Sequence, residues 1–161
     1  MERESAATAF SGEEIKNVSG GKALDYKIVE GAENMRLEDI VRLLRRTYWA
    51  EKRPIEQIGK SVRNSSCYGV CPEGSDTLVG FARVISDYAT TYYLCDVIVD
   101  PAHRGRGLGK ALVSYIDDRP EYAGLRGFLI TRDAHGLYRQ FGYEVVNDRV
   151  MAKLNKGSEG T

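Results

Sequence analysis

The chain has 161 residues, 42% hydrophobic and 29% charged, with 23 Lys+Arg against 23 Asp+Glu. One domain of this length buries a core without disulfides or metals, and a net charge of zero excludes global attraction to nucleic acid or an anionic membrane. Three cysteines, Cys67, Cys71 and Cys95, are too few and too odd in number for a disulfide framework, which implies free thiols and a cytoplasmic location.

Residues 1–22 mix Glu, Ser, Gly and Ala with no sustained apolar period, and residues 157–161 are similar, so a flexible leader and tail are expected around one domain over 23–156. The leader lacks the cationic-then-apolar pattern of a signal peptide, and no apolar run approaches a membrane span. Tyr26, Ile28 and Val29 predict a first strand. Leu37, Ile40, Val41, Leu44 and Tyr48 recur at helical spacing behind Asn34, an expected N-cap. Pro54 opens a second helix, with Ile55, Ile58 and Val62 on one face. Strands are predicted over 67–70, 77–85 and 91–99, separated by turn residues at 73–76 and 86–87. A helix opens out of Gly105-Arg106-Gly107-Leu108-Gly109, with Leu108, Ala111, Leu112, Tyr115 and Ile116 on one face and Pro120 as its stop. A short buried strand over 128–130, a helix through Ala134, Leu137, Tyr138 and Phe141 closed by Gly142, and strands over 143–146 and 150–154 complete the chain. The order implies an α+β (mixed α/β) fold.

Between the strand ending at Val99 and the body of that helix stand Arg104-Gly-Arg-Gly-Leu-Gly-Lys110. Glycines let successive backbone N–H groups converge on an anion at a helix N-terminus, and His103, Arg104, Arg106 and Lys110 add cations with no acid between them. The spacing suits a pyrophosphate. It fails the P-loop pattern, because Arg104 stands where its first glycine belongs and Ala111 replaces the hydroxyl residue. It also fails GxGxxG, because Lys110 occupies the last glycine position.

What fits is Arg/Gln-x-x-Gly-x-Gly/Ala, here Arg104 to Gly109. With it, Thr131-Arg-Asp-Ala-His-Gly-Leu-Tyr-Arg-Gln-Phe-Gly-Tyr143 matches a second pattern at Ala134, Leu137, Tyr138, Gly142 and Tyr143. In these two segments the sequence resembles the GCN5-related N-acetyltransferase (GNAT) superfamily, and the resemblance extends over roughly residues 26–154. It implies a mostly antiparallel mixed sheet, splayed between the strand before the glycine loop and the next one, with about four helices. Acetyl-CoA would be the acyl donor, with no metal. Its pyrophosphate would lie on Arg104, Gly105, Arg106, Gly107, Leu108, Gly109 and Lys110. Its pantetheine arm would lie along the backbone of Val97, Ile98 and Val99, with Thr131, Ala134 and Tyr138 beside it.

Acetyl transfer to an amine requires loss of an amine proton and protonation of the departing thiolate. By resemblance Tyr138 holds the general-acid position; the alternative is a packed core tyrosine. Asp96 interrupts an apolar strand, either as a base with an elevated pKa or as a structural partner of Arg83. Cys95 is expected to be a small buried thiol, and His135 a surface residue. Tyr48, Trp49, Arg83 and Tyr92 are candidates for the acceptor site, although the Tyr48–Trp49 cluster also reads as helix-end packing. The expected partner is a small-molecule primary amine, with neither nucleic acid nor membrane involved, and the protein is expected to be a monomer or homodimer. Alternatives are a non-catalytic acyl-CoA sensor and a protein-lysine or N-terminal acetyltransferase.

Overall fold

The computed structural model describes residues 14–15, 25–147 and 149–153. A six-stranded sheet runs in sequence order, β1 (Glu14–Ile15), β2 (Tyr26–Glu30), β3 (Ser66–Pro72), β4 (Gly80–Ser86), β5 (Thr91–Val99) and β6 (Arg126–Phe128). Neighbours pair antiparallel except β5 and β6, which are parallel. Among the described residues four α-helices accompany it: α1 (Leu37–Leu44), α2 (Ile55–Arg63), α3 (Leu108–Asp117) and α4 (His135–Tyr138). Among the described residues no helix is long and apolar enough to cross a membrane.

The sheet is a partition between two cores. Ile40, Leu43 and Leu44 of α1, with Ile58 and Val62 of α2, pack on Cys67, Cys71, Phe81 and Ile98. On the other face Leu108, Leu112, Val113 and Ile116 of α3 pack on Tyr26, Ile28, Tyr68, Val70, Val84 and Leu94, together with Tyr138. Most of the apolar positions that the helical spacing predicts in α1, α2 and α3 face these cores.

Several local expectations change. Residues 14–15, assigned to the leader, pair with Tyr26 and Lys27; the rest of the leader and the tail lie outside the described residues. Helix α1 is capped at Arg36 rather than Asn34 and ends before Tyr48, whose segment forms turns. Asn34 instead donates its side-chain amide to the Glu30 carbonyl at 2.7 Å. Ile55 is 52% exposed and takes no part in the α2 core face. Strand β6 ends at Phe128 and is not buried, with Phe128 and Ile130 both exposed. Among the described residues no strand forms over 143–146 or 150–153, residue 154 of the expected last strand lying outside them: Val145, Val146 and Val150 are β-branched, but they stand exposed and outside the sheet. β-propensity without a partner strand does not make a strand.

Candidate active site

The site begins with an irregularity in β5. Phe81 pairs with Ile98, and Arg83 with Cys95, so β5 spends three steps where β4 spends two. The extra residue lies opposite Ala82, at Asp96, whose φ of 54° is left-handed. This is a β-bulge, and it inverts the side-chain alternation across it. Before the bulge Tyr92 and Leu94 face the α3 core. After it Val97 and Val99 face that core, while Ile98 turns to the α1–α2 core.

Beyond the bulge the other edge of β5 is open. β6 pairs only with Thr91, Tyr92 and Tyr93. Leu94 to Val99 therefore have no strand on that side among the described residues, which is the splay that the resemblance implies. At the end of the same strand Asp100 accepts from Ala102 N at 3.1 Å, and the chain turns into the glycine loop. Gly105 and Gly107 both have φ of 74°, the left-handed conformation that glycine adopts without a Cβ penalty. Gly107 caps α3 with no side-chain bond. Leu108 turns its side chain into the core. The backbone N–H groups of residues 105–110 make no hydrogen bond among the described residues, nor do Arg106 and Lys110 form an ion pair. Arg104 is tethered, its Nε donating to Val99 O at 3.1 Å, and His103 Nδ1 meets Tyr26 Oη at 3.0 Å.

This loop is also anchored from behind, by contacts invisible in local sequence. Arg42 and Arg46 on and just after α1 each reach Asp100 at 2.9 Å, and Arg42 Nη2 also donates to Leu78 O at 2.6 Å.

Asp96 is 6% exposed and accepts four bonds. They come from Arg83 Nε at 2.6 Å, Arg53 Nη1 at 2.8 Å, Arg53 Nη2 at 3.3 Å and Trp49 Nε1 at 3.2 Å. Burial pushes its carboxyl up, but Arg53 and Arg83 outweigh burial and hold it below the usual carboxylate range. Of the two readings of Asp96, the structure has the partner of Arg83. The lone-pair positions of the carboxylate are used, and both arginines favour its charged form. Neighbouring Cys95 has its thiol pushed up to about 12 by burial, so it is no thiolate nucleophile at neutral pH.

Tyr138 lies on the far side of the opening, in α4. It is 8% exposed, and its ring stands edge-on to Tyr143 at 6.0 Å. Its hydroxyl has no hydrogen-bond partner among the described residues, yet no side-chain oxygen there is both sealed from solvent and unpartnered. The Tyr138 oxygen therefore reaches accessible space. Burial, with Asp133 nearby, pushes its pKa up to about 12, so it is a neutral O–H donor at physiological pH. Thr131 spends its hydroxyl oxygen on Ala134 N at 3.0 Å, shaping the entry to α4. His135 is partly exposed.

The acceptor candidates separate. Trp49 and Arg83 converge on Asp96. Tyr48 is stacked edge-on against Trp49 at 4.9 Å and carries the Arg132 guanidinium over its ring at 3.7 Å. Tyr92 does not belong with them. It is buried on the opposite face, where its hydroxyl meets Tyr143 Oη at 2.7 Å and its ring lies against Tyr122. The even-numbered alternation before the bulge places it there. Arg53 belongs to the aromatic and basic cluster that the sequence offers for the acceptor site, whereas Arg132 was not singled out, and only the fold brings it in.

A mixed sheet that opens beside a bulged strand, with an unsatisfied glycine loop at that strand's end, is the arrangement that the resemblance implies. Residues 34–143 match the Acetyltransferase (GNAT) family, and the chain belongs to it. A GNAT-family protein from Xanthomonas campestris pv. campestris superposes with a TM-score of 0.75 at 38% identity, covering 82% of this chain and 94% of that one. Among curated relatives, the histone acetyltransferase TAP1 of Glycine max is 29% identical over 118 residues, 66% of this chain and 51% of that protein. The uncharacterized N-acetyltransferase ycf52 of Pyropia yezoensis is 27% identical over 68% of this chain and 66% of its own length. The chain thus spans about half the length of the first of these curated relatives.

Proposed function

We propose that the protein transfers the acetyl group of acetyl-CoA to the primary amine of a small molecule by direct attack in a ternary complex. The observation that carries this reading is the run of unsatisfied N–H groups at residues 105–110, continuous with the unpaired edge of β5. The first supplies donors to a pyrophosphate at a helix N-terminus, and the second supplies amide partners to a pantetheine arm.

Within that complex the amine nitrogen forms its bond to the thioester carbon as the carbon–sulfur bond breaks. Tyr138 donates its proton to the departing sulfur and regains one from solvent. The amine's own proton leaves to solvent, since Asp96 is fully engaged. Asp96 is instead a positioning residue that holds the bulge and two arginines. A protein amine as acceptor is the second reading, favoured by the similarity to TAP1.

The experiment is calorimetric titration with acetyl-CoA, followed by free-thiol release with small amines and a lysine peptide. One-to-one binding with amine-dependent thiol release supports the proposal. Failure to bind acetyl-CoA overturns it, and binding without release to any amine leaves the sensor reading in its place.

A further inference from the structure

Burying a guanidinium is costly unless an anion compensates it, so cations in excess of their counter-charges call for an explanation. Around the β5 bulge two arginines share a single carboxylate, and a third lies over the neighbouring Tyr48 ring. Arg53 and Arg83 both pair with Asp96, with side-chain exposures of only 19% and 11%, and neither has another acidic partner among the described residues. Arg132, over the Tyr48 ring, is exposed and has no acidic partner among the described residues, neighbouring Asp133 included.

Asp96 cannot absorb more. Its oxygens already accept four bonds, three of them from these two arginines. Arg83 Nη1 goes to the neutral Ser65 hydroxyl at 3.1 Å. Arg83 Nη2 and Arg53 Nε make no hydrogen bond among the described residues. The set is continuous, from Arg132 through Tyr48 and Trp49 to Asp96. It also ends one residue before Val97, where the unpaired edge of β5 begins to serve the acyl donor in the function proposed above.

We infer that the acceptor is a primary amine carrying an oxyanion, a carboxylate or a phosphate, which Arg53, Arg83 and Arg132 bind beside the bulge while the amine reaches the thioester. This rests on the proposed acetyl transfer for its amine half, but the anion site stands on the arginines alone. Arginine suits the task because its planar fork matches both oxyanions.

Two assays test it. The first compares kcat/KM for matched acceptors: an amino acid, its carboxamide, an aminoalkyl phosphate and a polyamine. An oxyanionic amine should exceed the carboxamide and the polyamine by at least about tenfold, and whichever of the first and third wins identifies the anion. In Arg53→Gln that preference should collapse toward unity. Equal or better turnover of the polyamine or carboxamide overturns the inference while leaving acetyl transfer standing. So does an Arg53→Gln variant in which all acceptors fall by one common factor, the mark of a structural role. The second assay needs no turnover: calorimetry with an N-acetyl amino acid and its carboxamide, with and without CoA. Binding of the carboxylate alone, weakened in Arg132→Gln, supports the site even if acetyl-CoA fails to bind. Equal binding of the two, or of neither, overturns it.

Discussion

Replacing Tyr138 with phenylalanine removes one oxygen from a ring that is otherwise packed in the α3 core. Because that oxygen makes no hydrogen bond among the described residues, the substitution breaks none, and the fold should lose less than about 1 kcal/mol. The catalytic loss should be larger. General acid catalysis is typically worth about 10²–10⁴-fold, and a thiolate is a good leaving group, so the lower end applies. A loss of about 10²-fold in kcat corresponds to about 2.7 kcal/mol of transition-state stabilisation. Steady-state thiol release gives kcat, and calorimetry gives acetyl-CoA affinity, which should move by no more than about threefold, under 1 kcal/mol. A control is at hand in Tyr143→Phe, which removes the 2.7 Å bond to Tyr92 and should cost stability rather than rate. The pH profile adds a second readout. With its pKa near 12, Tyr138 keeps its proton throughout pH 7–10, so it contributes no descending limb there. Full activity in Tyr138→Phe would refute the acid role and make the residue a core tyrosine. Unchanged kcat with weakened acetyl-CoA would make it a lining of the donor cleft.

Asp96→Asn removes a buried carboxylate shared by two partly buried arginines and should destabilise the fold by about 3–5 kcal/mol, read from urea unfolding. The native carboxyl titrates below its unfolded value, so its contribution is full above about pH 4 and is lost as pH falls through the lower folded pKa; the variant should lack that acid dependence. An unchanged midpoint with a lost acidic limb of kcat/KM would restore the base role. Gly107→Ala adds a Cβ that meets no protein atom within 4 Å, at a cost of about 1–2 kcal/mol for a left-handed non-glycine residue. It should weaken acetyl-CoA at least about tenfold by calorimetry, and unchanged affinity would sink the pyrophosphate assignment.

Elements governed by local chemistry were legible from the residues alone. The β-prone run Thr91–Val99 and the helix opened by Gly107 are such cases, as is the turn closed by Gly142 at a φ of 78°. The bulge was not, because Val97, Ile98 and Val99 are all apolar and an alternation that slips by one residue leaves no trace in such a run. Its one signal is Asp96 itself, an aspartate tolerating the left-handed region more readily than β-branched neighbours would. Tyr92, a candidate for the acceptor site, lies instead where the phase before the bulge sends it, in the opposite core. The pairing of Arg83 with Asp96 was readable as two charges interrupting adjacent strands. Arg53, 43 residues from Asp96 in sequence, was not, since only the docking of the α1–α2 connection brings it there. At the C-terminal end the sequence supplied β-branched residues at 145, 146 and 150, but strand formation depends on a partner that local pattern does not specify.

Amide hydrogen exchange with and without acetyl-CoA tests the central claim most directly, because that claim concerns particular backbone N–H groups rather than side chains. If the donor lies along the open edge of β5 and over the glycine loop, acetyl-CoA should slow exchange at residues 97–99 and 105–110, with little change in α2 or β2. Protection confined to other segments, or none at saturating acetyl-CoA, would contradict the account.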